Sequence, residues 1–85
     1  MPTIKSAKKR LRQSEKRRAR NKSVRSRIRS RTRQLLENTS REEAEAQLEE
    51  LYSLLDRAAG KGVMHANTAA RRKARLARHV ESLEG

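Results

Sequence analysis

Val24-Arg25-Ser26-Arg27-Ile28-Arg29-Ser30-Arg31-Thr32-Arg33-Gln34-Leu35-Leu36 admits three incompatible readings, and the choice among them sets the architecture of the chain. With Arg at every second position, the stretch has the alternation of a half-exposed strand. A strand needs partners, and nothing else in the chain has strand character, so a sheet is excluded. The stretch also has the look of a disordered, phosphorylatable Ser-Arg repeat. That run is short, however, and Val24, Ile28 and Leu35 interrupt it at helical spacing. Wound as a helix, Val24, Ile28, Leu35 and Leu36, with Thr32 between them, fall on one stripe, while Arg27, Arg29, Arg31 and Arg33 lie largely off it. The stretch is therefore the second half of a helix with one side to bury.

Upstream, that side disappears. Lys5, Lys8, Lys9, Arg10, Arg12, Lys16, Arg17, Arg18, Arg20 and Lys22 surround the helix axis, and only Ile4, Ala7 and Leu11 make a weak stripe. Such a segment cannot pack on its own domain; in isolation it is expected to fray and to become ordered when anions surround it. Ser6 is the expected N-cap of this first helix, which runs to about residue 38.

Downstream, Thr39 or Ser40 caps a second helix, and Glu42 or Glu43 stands where a capping box places its reciprocal carboxylate. Ala44, Leu48, Leu51, Tyr52, Leu55, Ala58 and Ala59 form its apolar arc, with Glu42, Glu45, Glu49 and Asp56 opposite. Gly60 and Gly62 suit the left-handed position that ends a helix. A third helix starts between His65 and Asn67 and gathers Ala69, Leu76, Val80 and Leu83 on one side. Arg71, Arg72, Arg75 and Arg78 share the other. Lys73 falls inside the apolar arc, where its stem can pack while the ammonium reaches outward. Three stripes on short-looped helices bury best against one another. The expected fold is all-α: one domain over residues 1–85, in which residues 24–85 form a three-helix bundle and residues 1–23 project as a long basic extension of helix one.

Charge is segregated along the chain. The first 33 residues carry fifteen Lys or Arg and one acid, Glu15; residues 34–60 are net negative, and the whole chain carries +13. A block this cationic implies a polyanionic partner or a solvated tail, and its density exceeds what solubility needs. Cations on every face suit insertion between several phosphate backbones, as in folded RNA, better than docking in one groove of DNA. A second cationic surface, Arg71, Arg72, Lys73, Arg75 and Arg78, has no compensating acid until Glu81, so two RNA segments could be bridged. Aromatic content is 1%, Tyr52 alone, so bases cannot be stacked on a platform of rings. Recognition is expected to rest on phosphates, shape and guanidinium groups.

Other classes fall away. Without Cys there is no disulfide framework and no thiolate metal site, which fits a reducing cytosol. No apolar run approaches a spanning helix, no secretory signal is recognisable, and early helix one lacks the Trp, Phe or Leu face of an interfacial helix. A basic zipper needs sustained heptads, whereas Leu48 and Leu55 are followed at the next step by Gly62. His65 and His79 could suggest the acid-base pair of a ribonuclease, but no spacing typical of a nucleophile or metal site accompanies them; no catalytic residue, metal or cofactor is expected. His65 reads as a capping or phosphate-contacting residue, and the acids of helix two as a solvated face turned away from RNA.

The opening Ile4-Lys5-Ser6-Ala7-Lys8-Lys9-Arg10, then Gln13-Ser14-Glu15-Lys16, Asn21 and Ser26 form the first half of a pattern spread over nearly the whole chain. Its second half is Asp56, Ala59, Lys61-Gly62-Val63, His65-Ala66-Asn67, Ala69-Ala70-Arg71-Arg72-Lys73 and Arg75-Leu76. In order and spacing these residues resemble the bacterial small-subunit ribosomal proteins of the S-twenty family. The resemblance implies three helices with a long basic first one, and direct, early binding to 16S ribosomal RNA at its 5′ domain and the stem of its 3′ minor domain. It implies a cytoplasmic protein bound to the 30S subunit, with few protein contacts and no small-molecule substrate. By the matched motifs, Lys5, Ser6, Lys8, Lys9, Arg10, Gln13, Ser14, Lys16, Arg17 and Asn21 would line the RNA from helix one. His65, Asn67, Arg71, Arg72, Lys73 and Arg75 would do so from helix three. The charge pattern adds Arg12, Arg18, Arg20, Lys22, Arg25, Arg27, Arg29 and Arg78. The chain departs from the family where a Gly-containing turn is common, having Asn38-Thr39-Ser40 instead, and in its Glu-rich second helix.

Overall fold

The computed structural model describes residues 4–84 as three helices: α1 (Ile4–Glu37), α2 (Arg41–Gly60) and α3 (Ala66–Glu81), with no strand among the described residues. Residues 1–3 and 85, the outer ends of the expected extension and bundle, lie outside that range. Between Ile4 and Ala59 there is no Pro or Gly, so only a competing turn can end α1, and it runs unbroken for 34 residues. At 1.5 Å per residue that is about 50 Å, most of the long axis of a molecule measuring 64 × 20 × 13 Å. Its radius of gyration, 17.3 Å, far exceeds the ~12 Å of a compact chain of this length. The projecting half of α1 accounts for the difference.

The helix ends are locally encoded, though not always by the residues expected. Ser6 is not the N-cap of α1: the helix already includes Ile4 and Lys5, which nothing in the sequence prevents from being helical, and Ser6 sits in the first turn. Asn38 organises the first connection. Its backbone N–H donates to Leu35 O at 3.2 Å, closing α1, and its Oδ1 accepts from Ser40 N–H at 3.0 Å. Its Nδ2 donates to Glu43 Oε2 at 3.3 Å and to Gln47 Oε1 at 3.1 Å. Ser40 caps α2 by accepting from Glu43 N–H at 3.4 Å. The expected capping box is thus only half made, because Asn38 takes the Ser40 amide that the Glu43 carboxylate would otherwise accept from. Glu42 and Glu43 still oppose the positive end of the α2 dipole.

Of the two glycines expected to end α2, only Gly62 takes the left-handed conformation, φ 74°. Gly60 is the last helical residue and Lys61 is the C-cap. Gly62 N–H donates to Ala59 O at 3.2 Å and Val63 N–H to Ala58 O at 2.9 Å, so two orphan carbonyls are satisfied as the chain reverses. The same reversal carries Val63 into the core. At α3, His65 is the N-cap, its Nδ1 accepting from Asn67 N–H at 3.1 Å.

The core comprises Ile28 and Leu35 of α1, Ala44, Leu51, Leu55 and Ala58 of α2, Val63 of the connection, and Ala69, Leu76 and Val80 of α3. Val24, Leu48, Leu54, Ala59, Met64 and Leu83 pack partly buried against it. α2 is the central member: it packs on α3 and on α1, whereas α1 and α3 approach each other little. That geometry overturns the expectation for Leu36. With α1 turned to face α2, Leu35 is fully buried and Leu36 stays 49% exposed. Tyr52 is half-buried between α2 and α3, its hydroxyl donating to Lys73 O at 3.5 Å.

The two glycines are separable by experiment. A Cβ at Gly60 or at Gly62 would meet no atom within 4 Å, so only backbone preference distinguishes them. Gly62→Ala should lower stability by about 1–2 kcal/mol through the left-handed conformation. Gly60→Ala should raise it by about 0.5–1 kcal/mol through helix propensity. Urea denaturation followed by helical circular dichroism measures both, and effects of the same sign would contradict the turn described here.

Candidate nucleic-acid interface

From residue 4 to residue 20 every side chain of α1 is exposed, with no other helix beneath it. Lys5, Ser6, Lys8, Lys9, Arg10, Arg12, Gln13, Ser14, Lys16, Arg17, Arg18 and Arg20 therefore ring a bare rod. Apolar Ile4 and Leu11 remain 75% and 60% exposed, so the weak stripe they form is not used within the molecule. Lys22, Arg25, Arg27 and Arg29 continue the exposed surface alongside the bundle.

The helix gathers these cations into patches. Lys5, Lys8, Lys9 and Arg12 share one shallow face near the start. Arg18, Lys22, Arg25 and Arg29, spaced to recur on one side, share the next with Asn21 and Ser26. Asn21 is half-buried where α1 meets the bundle, and its Oδ1 lies buried with no hydrogen-bond partner among the described residues. A third patch joins two helices: Arg27 and Arg31 of α1 face Arg57 of α2 across a groove that also holds Glu50, Ser53 and Leu54. Arg31 Nη1 pairs with Glu50 Oε2 at 3.2 Å. The i,i+4 spacing of Arg27 and Arg31 is visible in the sequence, but Arg57 stands in an acidic helix and only folding brings it beside them.

On α3, Arg71, Arg72, Arg75 and Arg78 are exposed on the face predicted for them. Lys73 is different: its ammonium pairs with Asp56 and sits 5.4 Å from the centre of the Tyr52 ring, so this cation also fastens α3 to α2. His65 and Asn67 mark the α3 N-terminus, which like that of α1 carries no acid in its first turn. Both helices thus present an uncompensated positive dipole end among cations, an arrangement a phosphate relieves. His65 and His79 lie fourteen residues apart on one helix, about 21 Å, too far to act as an acid-base pair. No group of three or more His, Cys, Asp or Glu among the described residues could hold a metal ion. Among the described residues, no helix is long and apolar enough to cross a membrane.

Like charges on a rod without tertiary contacts make its helix weak in the free protein. In hydrogen exchange, amides of residues 8–20 should be protected at least tenfold less than those of residues 28–36, and sulfate or polyphosphate should narrow the gap. Uniform protection along α1 in the free protein would contradict this.

The family model described as Ribosomal protein S20 matches residues 2–81. The small ribosomal subunit protein bS20 of Kosmotoga olearia is 51% identical over 86 residues, covering 96% of this chain and 88% of that protein. The protein of the same name from Salinibacter ruber is 50% identical, covering 99% of this chain and all of its own length. That of Halothermothrix orenii is 44% identical over 98% of this chain. These matches run over nearly the full length of the chain: it belongs to the ribosomal protein S20 family and has a structural, non-enzymatic ribosomal role.

Proposed function

We propose that the protein binds 16S ribosomal RNA directly, at the 5′ domain and at the stem of the 3′ minor domain, and stabilises that fold during assembly of the 30S subunit. The observation that carries the reading is the rod itself: residues 4–20 are helical, exposed on all sides and cationic on every face. The choice of RNA regions rests on the family resemblance. The chain acts as one unit, with residues 24–85 as the bundle and residues 1–23 as the segment that enters the RNA. It works in the cytoplasm as part of the ribosome, with ribosomal RNA and not protein as its main contact, and with neither membrane nor small-molecule ligand.

Where RNA helices approach closely, their phosphates repel one another, and bare RNA populates the junction poorly. Lysine and arginine side chains neutralise those phosphates and release condensed counterions. The rod supplies this on all sides at once; the α3 arginines supply it from the bundle, so two RNA segments are held at a fixed separation. Specificity comes from the shape of the RNA instead of base edges. The guanidinium groups add bidentate contacts that lysine cannot make.

Filter binding across a salt series tests this. The protein should prefer 16S fragments containing the 5′ domain over duplex DNA of equal length at physiological salt. Replacing Lys8 and Lys9 together by Gln should flatten the log K against log salt slope by about 0.7–0.9 for each phosphate that is no longer neutralised. Equal affinity for RNA and DNA would defeat the assignment.

A further inference from the structure

Between α1 and α3, where the two helices stand apart, lies a groove floored by Leu55 and Leu76 and walled by Thr32 and Leu36 on one side and by Arg72 and Arg75 on the other. It differs from the other cationic surfaces. The Lys5 and Arg18 patches lie along a single helix and are lined by charged and polar residues alone, with no leucine among them. The groove of Arg27, Arg31 and Arg57 contains the Glu50 carboxylate, which repels an anion. Here no acid lines the surface, and neither Arg72 nor Arg75 has an ion-pair partner among the described residues.

We propose that this groove holds one unstacked nucleotide of the bound RNA, its base against Leu36 and the aliphatic stems of the arginines and its phosphate on Arg72 and Arg75. The proposal rests on the RNA-binding reading above and refines it. A single exposed Leu signifies little, but Leu36, 49% exposed, stands in a recess with these two guanidinium groups opposite it. Apolar wall and cationic rim match a nucleotide's two halves. The volume, about 260 Å³, falls just below the roughly 300 Å³ at which sites for drug-sized ligands begin, which suits a single nucleotide better than a peptide helix. Guanidinium planes stack on bases, and Arg72 and Arg75 can do this in a chain with almost no aromatic rings. Thr32 adds a hydroxyl within the groove to hydrogen-bond the nucleotide, whichever base it carries.

An apolar contact and an ionic one leave different signatures in a salt series. Leu36→Asn should weaken binding to the 5′-domain RNA fragment roughly 5- to 10-fold at every salt concentration, with the slope unchanged, because about half a Leu side chain loses its apolar partner. Arg75→Gln should instead flatten the slope by about 0.7–0.9. Leu36→Met should bind like the parent. Dimethyl sulfate probing should show one base protected by the parent protein and by Leu36→Met, and exposed again with Leu36→Asn. Circular dichroism should show the same helicity for all three Leu36 forms at the binding temperature, with only Leu36→Asn melting somewhat lower because it loses the covered half of the side chain and some helix propensity. The proposal is overturned if Leu36→Asn binds within twofold of the parent with the same base protections, or if Leu36→Met is as weak as Leu36→Asn. Failure of the parent protein to bind the RNA fragment would overturn the RNA-binding reading itself, a separate result.

Discussion

Leu51 and Leu55, fully buried on α2, are where the apolar stripes of α1 and α3 converge, and this burial holds the remaining surfaces in place. Each buried leucine contributes on the order of 1.5–3 kcal/mol, and a core this small leaves little stability to spare. Without large aromatic side chains to widen it, one helix must serve both neighbours. α2 does so by turning its apolar arc inward and Glu42, Glu45 and Glu49 to solvent.

The geometry of that core leaves the upstream half of α1 with nothing to lean on. In a protein that had to be complete alone, this would be a fault: like charges crowd one another, and the cations nearest the N-terminus oppose the helix dipole. Surrounded by phosphates, the same features become favourable. The bundle uses only a few of its charges internally. Arg31 with Glu50 ties α1 to α2, and Lys73 with Asp56 and Tyr52 ties α3 to α2. These exposed or half-exposed pairs orient the helices more than they stabilise them.

Much of this is legible in the residues. The spacing of Val24, Ile28 and Leu35 and the arc of Leu48, Leu51 and Leu55 identify helices with sides, and the charge around the axis upstream identifies a helix without one. Lys73, a cation inside the apolar arc of α3, lies half-buried against α2 as that position demands. Where sequence and structure part, the causes are local. Ser6 has the chemistry of a cap, yet the residues before it are equally content to be helical. Asn38 marks the turn in the sequence, but its four hydrogen bonds join groups from both helices and only the folded connection assembles them. Val63 lies outside any helical stripe and is buried only because Gly62 reverses the chain.

Periodicity and charge order in the chain are enough for three helices, a bundle and a basic arm, because burial follows spacing and solvation follows charge. They do not say how α1 is rotated about its own axis, and that rotation separates Leu35, buried, from its neighbour Leu36, left on the rim of the α1–α3 groove. Nor do they bring Arg57 to Arg27 and Arg31, or Arg72 and Arg75 to Thr32. Those meetings depend on which stripes α2 shares with its two partners, a matter of packing three helices at once that no single stretch of sequence contains.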